Sequence, residues 1–463
     1  ALLAPDDMAA REAAAATMLA THDYFGAELQ LIEVLKRNPD PEDAWSMVTT
    51  LLAQANDPRK ANEILKSLME SQGGLGNADA IFVQSQLLAR MGEFEEAARL
   101  ADQAIGLTPD LVPLLTFRGR LALSLEDLDT AVERFGQAWA IDSDNHDLGL
   151  AYADLLARAA RADEARQVME SMEQTPDVLL SRILFEITAK EPERARAIYA
   201  EFDTLEVPDP NEKAYYRGRA AEAVGETEAA IEFYGQVEDG DHLAFSGVRR
   251  AELMAETGDI DGARVTLAAL RDVGSEPVVE QAWLAEARLL QQGGQLEEAF
   301  QTLGEALEEF GYSVPLRYSR ALVAAEMGNI DVTEYDLELV LADEPDNAAA
   351  LNALGYTLAD QTDRYEEAEL LIRRAYEIQP NDAAIIDSMG WVAYRLGRLE
   401  EAESFLSEAW TLDRNPEIAA HLGEVLWTMG KQEAALEIWR EGLSVDADHP
   451  LLMDTISRMG AEL

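Results

Sequence analysis

Along most of the chain an alanine recurs inside apolar runs at a nearly fixed interval. It stands at Ala27, Ala61, Ala97, Ala131, Ala165, Ala195, Ala230, Ala263 and Ala299, is replaced by Thr333, and returns at Ala368, Ala402 and Ala435. The mean step is about 34 residues, the length of one helix–turn–helix unit. A second series of small residues lies upstream in each unit: Gly119, Gly218, Gly355, Gly390 and Gly423, with Ala251, Ala287 and Ala321 in the same slot. Glycine inside a helix costs about 1 kcal/mol relative to alanine, so its recurrence demands a packing reason. Two helices that cross 8–10 Å apart supply one. Punctuation agrees. "MGEF", "TGDI", "GGQL", "MGNI", "LGRL" and "MGKQ" place a glycine where a first helix must turn, and "TPD", "EPDN" and "QPND" break the second. Thirteen two-helix units are predicted, with "HPLLMDTISRMGAEL" as a lone last helix covering the final one. At the start, Asp6 and Asp7 can cap a first helix that begins at Met8.

The residues Leu351, Leu354, Gly355, Leu358, Ala368, Ile372, Ala375 and Pro380 follow the order and nearly the spacing of the tetratricopeptide repeat (TPR), and the chain resembles that family. The resemblance implies an all-α TPR solenoid, a right-handed superhelix of about thirteen repeats with a C-terminal capping helix. Its expected organisation is an N-terminal array over residues 1–202, a connector or hinge at 203–213, a C-terminal array over 214–448 and a cap at 449–463. The connector rests on "DTLEVPDPNEK", which is rich in proline and acids, after a short sixth unit. The unit around Arg317–Leu341 is the second departure, through Thr333.

Charge narrows the partners. Across 463 residues there are 89 acidic and 37 basic side chains, a net charge of −52. Such a chain repels phosphate backbones and anionic membrane surfaces. Part of the acidity has a local cause: "EFEEAA", "RYEEAE", "RLEEAE" and "QLEEAF" put glutamates in the first turn of second helices, where the helix dipole favours anions. No cysteine is present, which removes disulfides and thiolate chemistry. No run approaches the ~20 apolar residues of a membrane span. The opening "ALLAPDD" leads us to expect an upstream segment that could carry a targeting signal or a lipid anchor.

Motifs for catalysis and cofactors do not assemble. The five histidines, His22, His146, His242, His421 and His449, include no pair three or four apart and are expected at loops or the surface. "DSDNHD" at Asp142–Asp147 opens like a calcium loop but has Ala153 where the twelfth-position glutamate belongs. "SQGGLGN" lacks the Lys-Ser/Thr ending of a phosphate loop. No cofactor and no metal are expected, and no enzyme activity.

A binding face is predicted instead. Taking the small mid-helix residue as origin and stepping about 100° per residue, the positions three before, and one, four and five after, form a face beside the hairpin contact. In TPR arrays that face lines the concave groove. Here it collects Asn352, Tyr356, Asp387, Trp391, Tyr394, Arg395, Glu424 and Trp427 at the C-terminal end, and Tyr215, Arg219, Phe245, Arg288 and Tyr318 farther back. Aromatic and arginine side chains beside amides and acids suit an extended peptide. On this reading Trp391→Ala weakens partner binding with little change in melting temperature. Trp45 and Trp283, by contrast, are expected in the core. Arg118, Arg217, Arg250 and Arg320, each just before a small residue, are expected to pair with acids on adjoining helices.

The stretch "ALNALGYTLADQTDRYEEAELLIRRAYEIQPND" and the following "SMGWVAYRLGRLEEAE" further resemble proteobacterial TPR lipoproteins that serve as adaptors of a carboxyl-terminal processing protease. That resemblance implies a periplasmic scaffold anchored to the outer membrane. It would recruit and activate the protease and deliver substrates such as peptidoglycan cross-link hydrolases. Two alternatives stand beside it: the TPR portion of a larger enzyme such as a glycosyltransferase, and a peptide-binding co-chaperone.

Overall fold

The structure, a computed structural model, describes residues 8–38, 40–72 and 76–462. The cap expected from Asp6 and Asp7 lies outside the described residues. The described elements are helical throughout. They run α1 (Met8–Ala20), α2 (Tyr24–Arg37), α3 (Pro41–Ala53), α4 (Pro58–Gln72), α5 (Ala78–Arg90), α6 (Phe94–Leu107), α7 (Val112–Ser124) and α8 (Leu128–Ile141). Next come α9 (His146–Arg158), α10 (Ala162–Ser171), α11 (Pro176–Thr188), α12 (Pro192–Tyr199), α13 (Pro210–Ala223), α14 (Thr227–Tyr234), α15 (Leu243–Glu256), α16 (Ile260–Val273), α17 (Glu276–Gln292) and α18 (Leu296–Phe310). The chain finishes with α19 (Val314–Glu326), α20 (Ile330–Asp343), α21 (Ala348–Gln361), α22 (Tyr365–Ile378), α23 (Ala383–Arg395), α24 (Leu399–Leu412), α25 (Pro416–Thr428), α26 (Gln432–Val445) and α27 (Pro450–Arg458).

Odd-numbered helices up to α25 are the first helices of the thirteen units, even-numbered ones the second. All thirteen spaced positions, Thr333 included, are fully buried. The small residue of a first helix faces the side chain four positions after the alanine of its own second helix. A Cβ added to Gly119 would lie 2.6 Å from Phe135, one on Gly355 2.5 Å from Ile372, and one on Gly390 2.5 Å from Leu406. On Gly423 it would fall inside the indole of Trp439. The bulk of one helix thus fills the space its partner leaves, which native packing density requires. Thr333 keeps the rule: its hydroxyl donates to the carbonyl of Ala321, the small slot of α19, at 3.2 Å. At Ser85 the same bond runs the other way, to the carbonyl of Ala97 at 2.6 Å.

Turn glycines behave as expected, with φ of 81° at both Gly92 and Gly430. First-turn glutamates are found at Glu95 and Glu96, Glu366 and Glu367, and Glu400 and Glu401. Three of the four flagged arginines meet an acid on an adjoining element: Arg118–Asp102 at 3.0 Å, Arg217–Asp203 at 2.6 Å and Arg320–Asp336 at 2.7 Å. Arg250 lies against Gly235 instead. Trp45 is buried, whereas Trp283 is half-buried, with Arg271 over its ring at 3.7 Å and its indole N–H donating to Glu309.

The chain divides into two compact units, Ala1–Ala230 and Ile231–Leu463. In the first, α12 stops at Tyr199 and continues as a 3₁₀ turn over Ala200–Asp203 before Pro210 opens α13. The connector at 203–213 lies inside this unit, and α11 packs on α13 across it. In the second, α15 to α26 form six successive hairpins. Helix α27 closes the end by burying Leu452 and Ile456 against the core that holds Trp439.

Candidate peptide-binding groove

Four successive first helices of the second unit, α19, α21, α23 and α25, open a pocket of about 410 Å³. Its walls carry Tyr318, Asn352, Tyr356, Asp387 and Glu417, with Asp382, Asp413 and Asn415 from the turns above. Local sequence fixes the rim. Asp382 caps α23 by accepting the N–H groups of Ala384 and Ile385, and Asn415 caps α25 by accepting that of Glu417.

Behind the wall runs a buried polar relay. The Tyr356 hydroxyl donates to Glu417 Oε1 at 3.3 Å and lies 3.4 Å from His421 Nε2. His421 Nδ1 is 2.9 Å from Asp387 Oδ2. Trp391 stacks on the imidazole with ring centres 4.2 Å apart. Burial pushes the imidazole down, but Asp387, by charge and hydrogen bond, and the fields of Glu417 and Asp360 outweigh it, so His421 titrates above its ordinary value. Burial foremost, then the charges of Glu417, Asp360 and Asp387, drives the Tyr356 phenol well above its usual range. Burial and Asp382 raise Tyr318 in the same direction.

A second pocket of about 620 Å³ lies farther back in the same unit, between α15 and α17. Phe245, 47% exposed, and Leu284 give it an apolar wall. Glu252 bridges Arg249 and Arg288 at 2.9 and 2.6 Å beside them.

Of the thirteen residues nominated from sequence, Tyr318, Asn352, Tyr356 and Asp387 come together in the first pocket, and Phe245 and Arg288 in the second. Five are spent elsewhere. Trp391 is 6% exposed and fills space between repeats. Glu424, 3% exposed, receives both terminal nitrogens of Arg458 from the capping helix, at 3.0 and 2.7 Å. Tyr394 donates to Glu424 at 3.1 Å. Arg395 donates to the carbonyl of Asp360 and to the Tyr365 hydroxyl, both at 2.9 Å, and so ties α23 to the end of α21. Trp427 is half-buried against Trp439, ring centres 5.5 Å apart. In the first unit Arg219 donates to the Tyr215 hydroxyl at 3.3 Å, and neither lines these two pockets.

His421 corrects the expectation that every histidine sits at a loop or the surface. It is 2% exposed, whereas His22 lies in a turn and His146, His242 and His449 stand at helix starts. Glu417 was also missed, though a signal existed. Six residues before Gly423 it falls at about 120°, within the chosen face but one turn beyond where that face was read. Among the described residues no helix is long and apolar enough to cross a membrane, and no three His, Asp or Glu are gathered as a metal-ligand set.

Stacked hairpins locked by small-residue contacts, presenting pockets along their first helices, define a TPR solenoid. Residues 122–177 and 318–383 each match a family described as tetratricopeptide repeat. The chain is similar to the TPR repeat-containing protein PA4667 of Pseudomonas aeruginosa, 41% identical over 207 residues, covering 45% of this chain and 35% of that protein. It is also similar to human tetratricopeptide repeat protein 7A, 27% identical over 177 residues, covering 38% of this chain and 16% of that one. The matched stretches therefore span well under half of either relative's own length. Among solved structures, the APC/C Cut9–Hcn1 hetero-tetramer aligns over 98% of this chain and 96% of its own at 14% identity, with a TM-score of 0.40. Yeast Tom70 aligns over 90% and 95% at 13% identity, with a TM-score of 0.42. TPR arrays imply protein-interaction scaffolds, whose partners are proteins.

Proposed function

We propose that this scaffold is a non-catalytic adaptor that holds a periplasmic carboxyl-terminal processing protease together with its substrates, peptidoglycan cross-link hydrolases among them. The observation that carries a peptide-holding role is the pocket of about 410 Å³ running across four successive repeats. Its amide, phenol and carboxylate lining can take the backbone and side chains of an extended segment. The particular partners come from the C-terminal repeats, whose sequence resembles that of LbcA, the outer-membrane lipoprotein adaptor of the protease CtpA. By the same resemblance the protein works in the periplasm, held at the outer membrane through a lipid anchor. Co-localisation raises effective concentration, which accelerates proteolysis without new chemistry in the adaptor.

Reconstitution tests this reading. Purified adaptor, the carboxyl-terminal processing protease of the same organism and a cell-wall hydrolase are mixed, and hydrolase loss is followed with time. The expected result is at least tenfold faster cleavage with adaptor present, and a ternary complex by analytical ultracentrifugation. An unchanged rate together with three separately sedimenting species would end the adaptor reading.

A further inference from the structure

We propose that His421 is a proton-operated tie: doubly protonated, its ring fixes the spacing of α21, α23 and α25 along the groove wall, and singly protonated it frees them. The inference goes beyond the scaffold reading and holds whichever partner is bound. Repeats of a solenoid ordinarily touch only their neighbours. Here the Tyr356 hydroxyl of α21 reaches past the intervening hairpin to Glu417 and His421 of α25, at 3.3 and 3.4 Å. His421 Nδ1 is held by Asp387 of α23 at 2.9 Å. Tyr356, Asp387 and Glu417 all stand on the pocket wall. The buried imidazole thus links wall residues from three successive first helices.

The relay has three contacts, ring to Asp387, ring to phenol and phenol to Glu417, and each needs a hydrogen. Imidazolium brings two N–H groups and the phenol one O–H, so all three are filled. Nδ1–H donates to Asp387, Nε2–H to the phenol oxygen, and the phenol to Glu417. Neutral imidazole keeps a single N–H. With that one on Asp387, the phenol hydrogen must serve either Nε2 or Glu417, and the acceptor left open is unfavourable in a buried site. The charged groups acting on the ring come from three helices: Asp360 of α21, Asp387 of α23 and Glu417 of α25. One turn along α25, Glu424 is taken up by Arg458 of α27. Arg395 of α23 lies 6.0 Å from the centre of the Trp391 ring that covers the imidazole. Helices α24 and α26, which also pack on α25, bring Trp410 and Trp439 to that core. The three carboxylates outweigh burial and hold His421 above its ordinary value. The complete relay is therefore the main form at about pH 6.5 and is lost as pH rises through the folded value.

The chain holds no cysteine, so introduced cysteines carry spin labels at chosen points alone. Leu370→Cys on α22 with Glu437→Cys on α26, both exposed, reports the spacing of the tied repeats by double electron–electron resonance. Val265→Cys on α16 with Tyr335→Cys on α20, also exposed and two repeats apart, is the control. NMR of the histidine ring nitrogens reads the proton directly, with His421 identified by its absence in His421→Gln. Between about pH 6 and about pH 9 His421 is expected to lose its second ring proton. Over the same range the first pair's distance distribution should broaden at least twofold, with the control unchanged. Tyr356→Phe removes the phenol from both states and should give the broad distribution at either pH, with circular dichroism confirming the fold. A distribution that stays the same while His421 loses its proton would overturn the proposal. So would equal broadening in the control, a Tyr356→Phe distribution that still responds to pH, or a ring that keeps one protonation state throughout.

Discussion

At the scale of single residues, the contact between Gly423 and Trp439 sets the tolerance of a whole hairpin. Trp439 is fully buried and has nowhere to move when a methyl group arrives at residue 423. Overpacking costs about 1–3 kcal/mol, against a helix-propensity gain of about 1 kcal/mol. Gly423→Ala should therefore lower the denaturant midpoint. Gly304→Ala, where an added Cβ meets nothing within 4 Å, should raise it, through a stability gain of up to about 1 kcal/mol. Trp391→Ala now carries the opposite expectation from the one its helix position suggested. With its ring sealed against His421, truncation should cost about 3–5 kcal/mol, seen as an early loss of helical signal from the C-terminal repeats. His421 adds a pH dependence. Its folded pKa lies above 6.5, so its contribution is complete below pH 6.5 and is lost as pH rises through the higher folded value. Deprotonation leaves Asp387 buried without its counter-charge, while Glu417, Asp360 and the Tyr356 phenol face the same ring. Melting temperature measured upward from pH 6.5 should fall in the native chain, and that part of the slope should vanish in His421→Gln.

Among elements, the capping helix α27 shows how a terminal repeat is closed. Leu452 and Ile456 supply apolar cover, and Arg458 clasps Glu424. The two partners are unequal: the Glu424 side chain is 4% exposed and that of Arg458 49%. Arg458→Met strands a buried carboxylate and should cost about 2–3 kcal/mol. Glu424→Gln keeps one acceptor oxygen, loses the second bond from Arg458 and removes the buried charge, and should cost less than Arg458→Met by chemical denaturation. Helices and their pairing were legible in the sequence because the small residues that fix the crossing are themselves the repeat signal. Thr333 looked like a lapse and is none, since its hydroxyl finds the carbonyl of Ala321. The binding face was only partly legible. Projecting one helix shows which way a side chain leaves it, not what the next repeat lays over it. Positions one after the glycine, Tyr356, Trp391 and Glu424, are reached by α25 or α27, so two of the three are closed to a partner. His421 became visible only when α25 was placed two repeats beyond α21, whereas Glu417 lay on the projected face, one turn farther out.

For the molecule as a whole, a net charge of −52 is repulsion stored within one chain. At 0.15 M salt the screening length is about 8 Å, comparable to the spacing of neighbouring helices. Raising sodium chloride from 10 mM to 200 mM should therefore raise the melting temperature, and scanning calorimetry at a series of salt concentrations reads that shift.

The fit of the void at Gly119, Gly355, Gly390 and Gly423 to a bulky side chain in the second helix of the same unit also governs recombination. Phe135, Trp439 and the isomeric pair Ile372 and Leu406 differ in size or in branching, and each cavity is cut for its own occupant. Chimaeras joined in the linkers between hairpins inherit matched halves. Those spliced at the inner turn, between the two members of a pair, inherit either a clash or a hole.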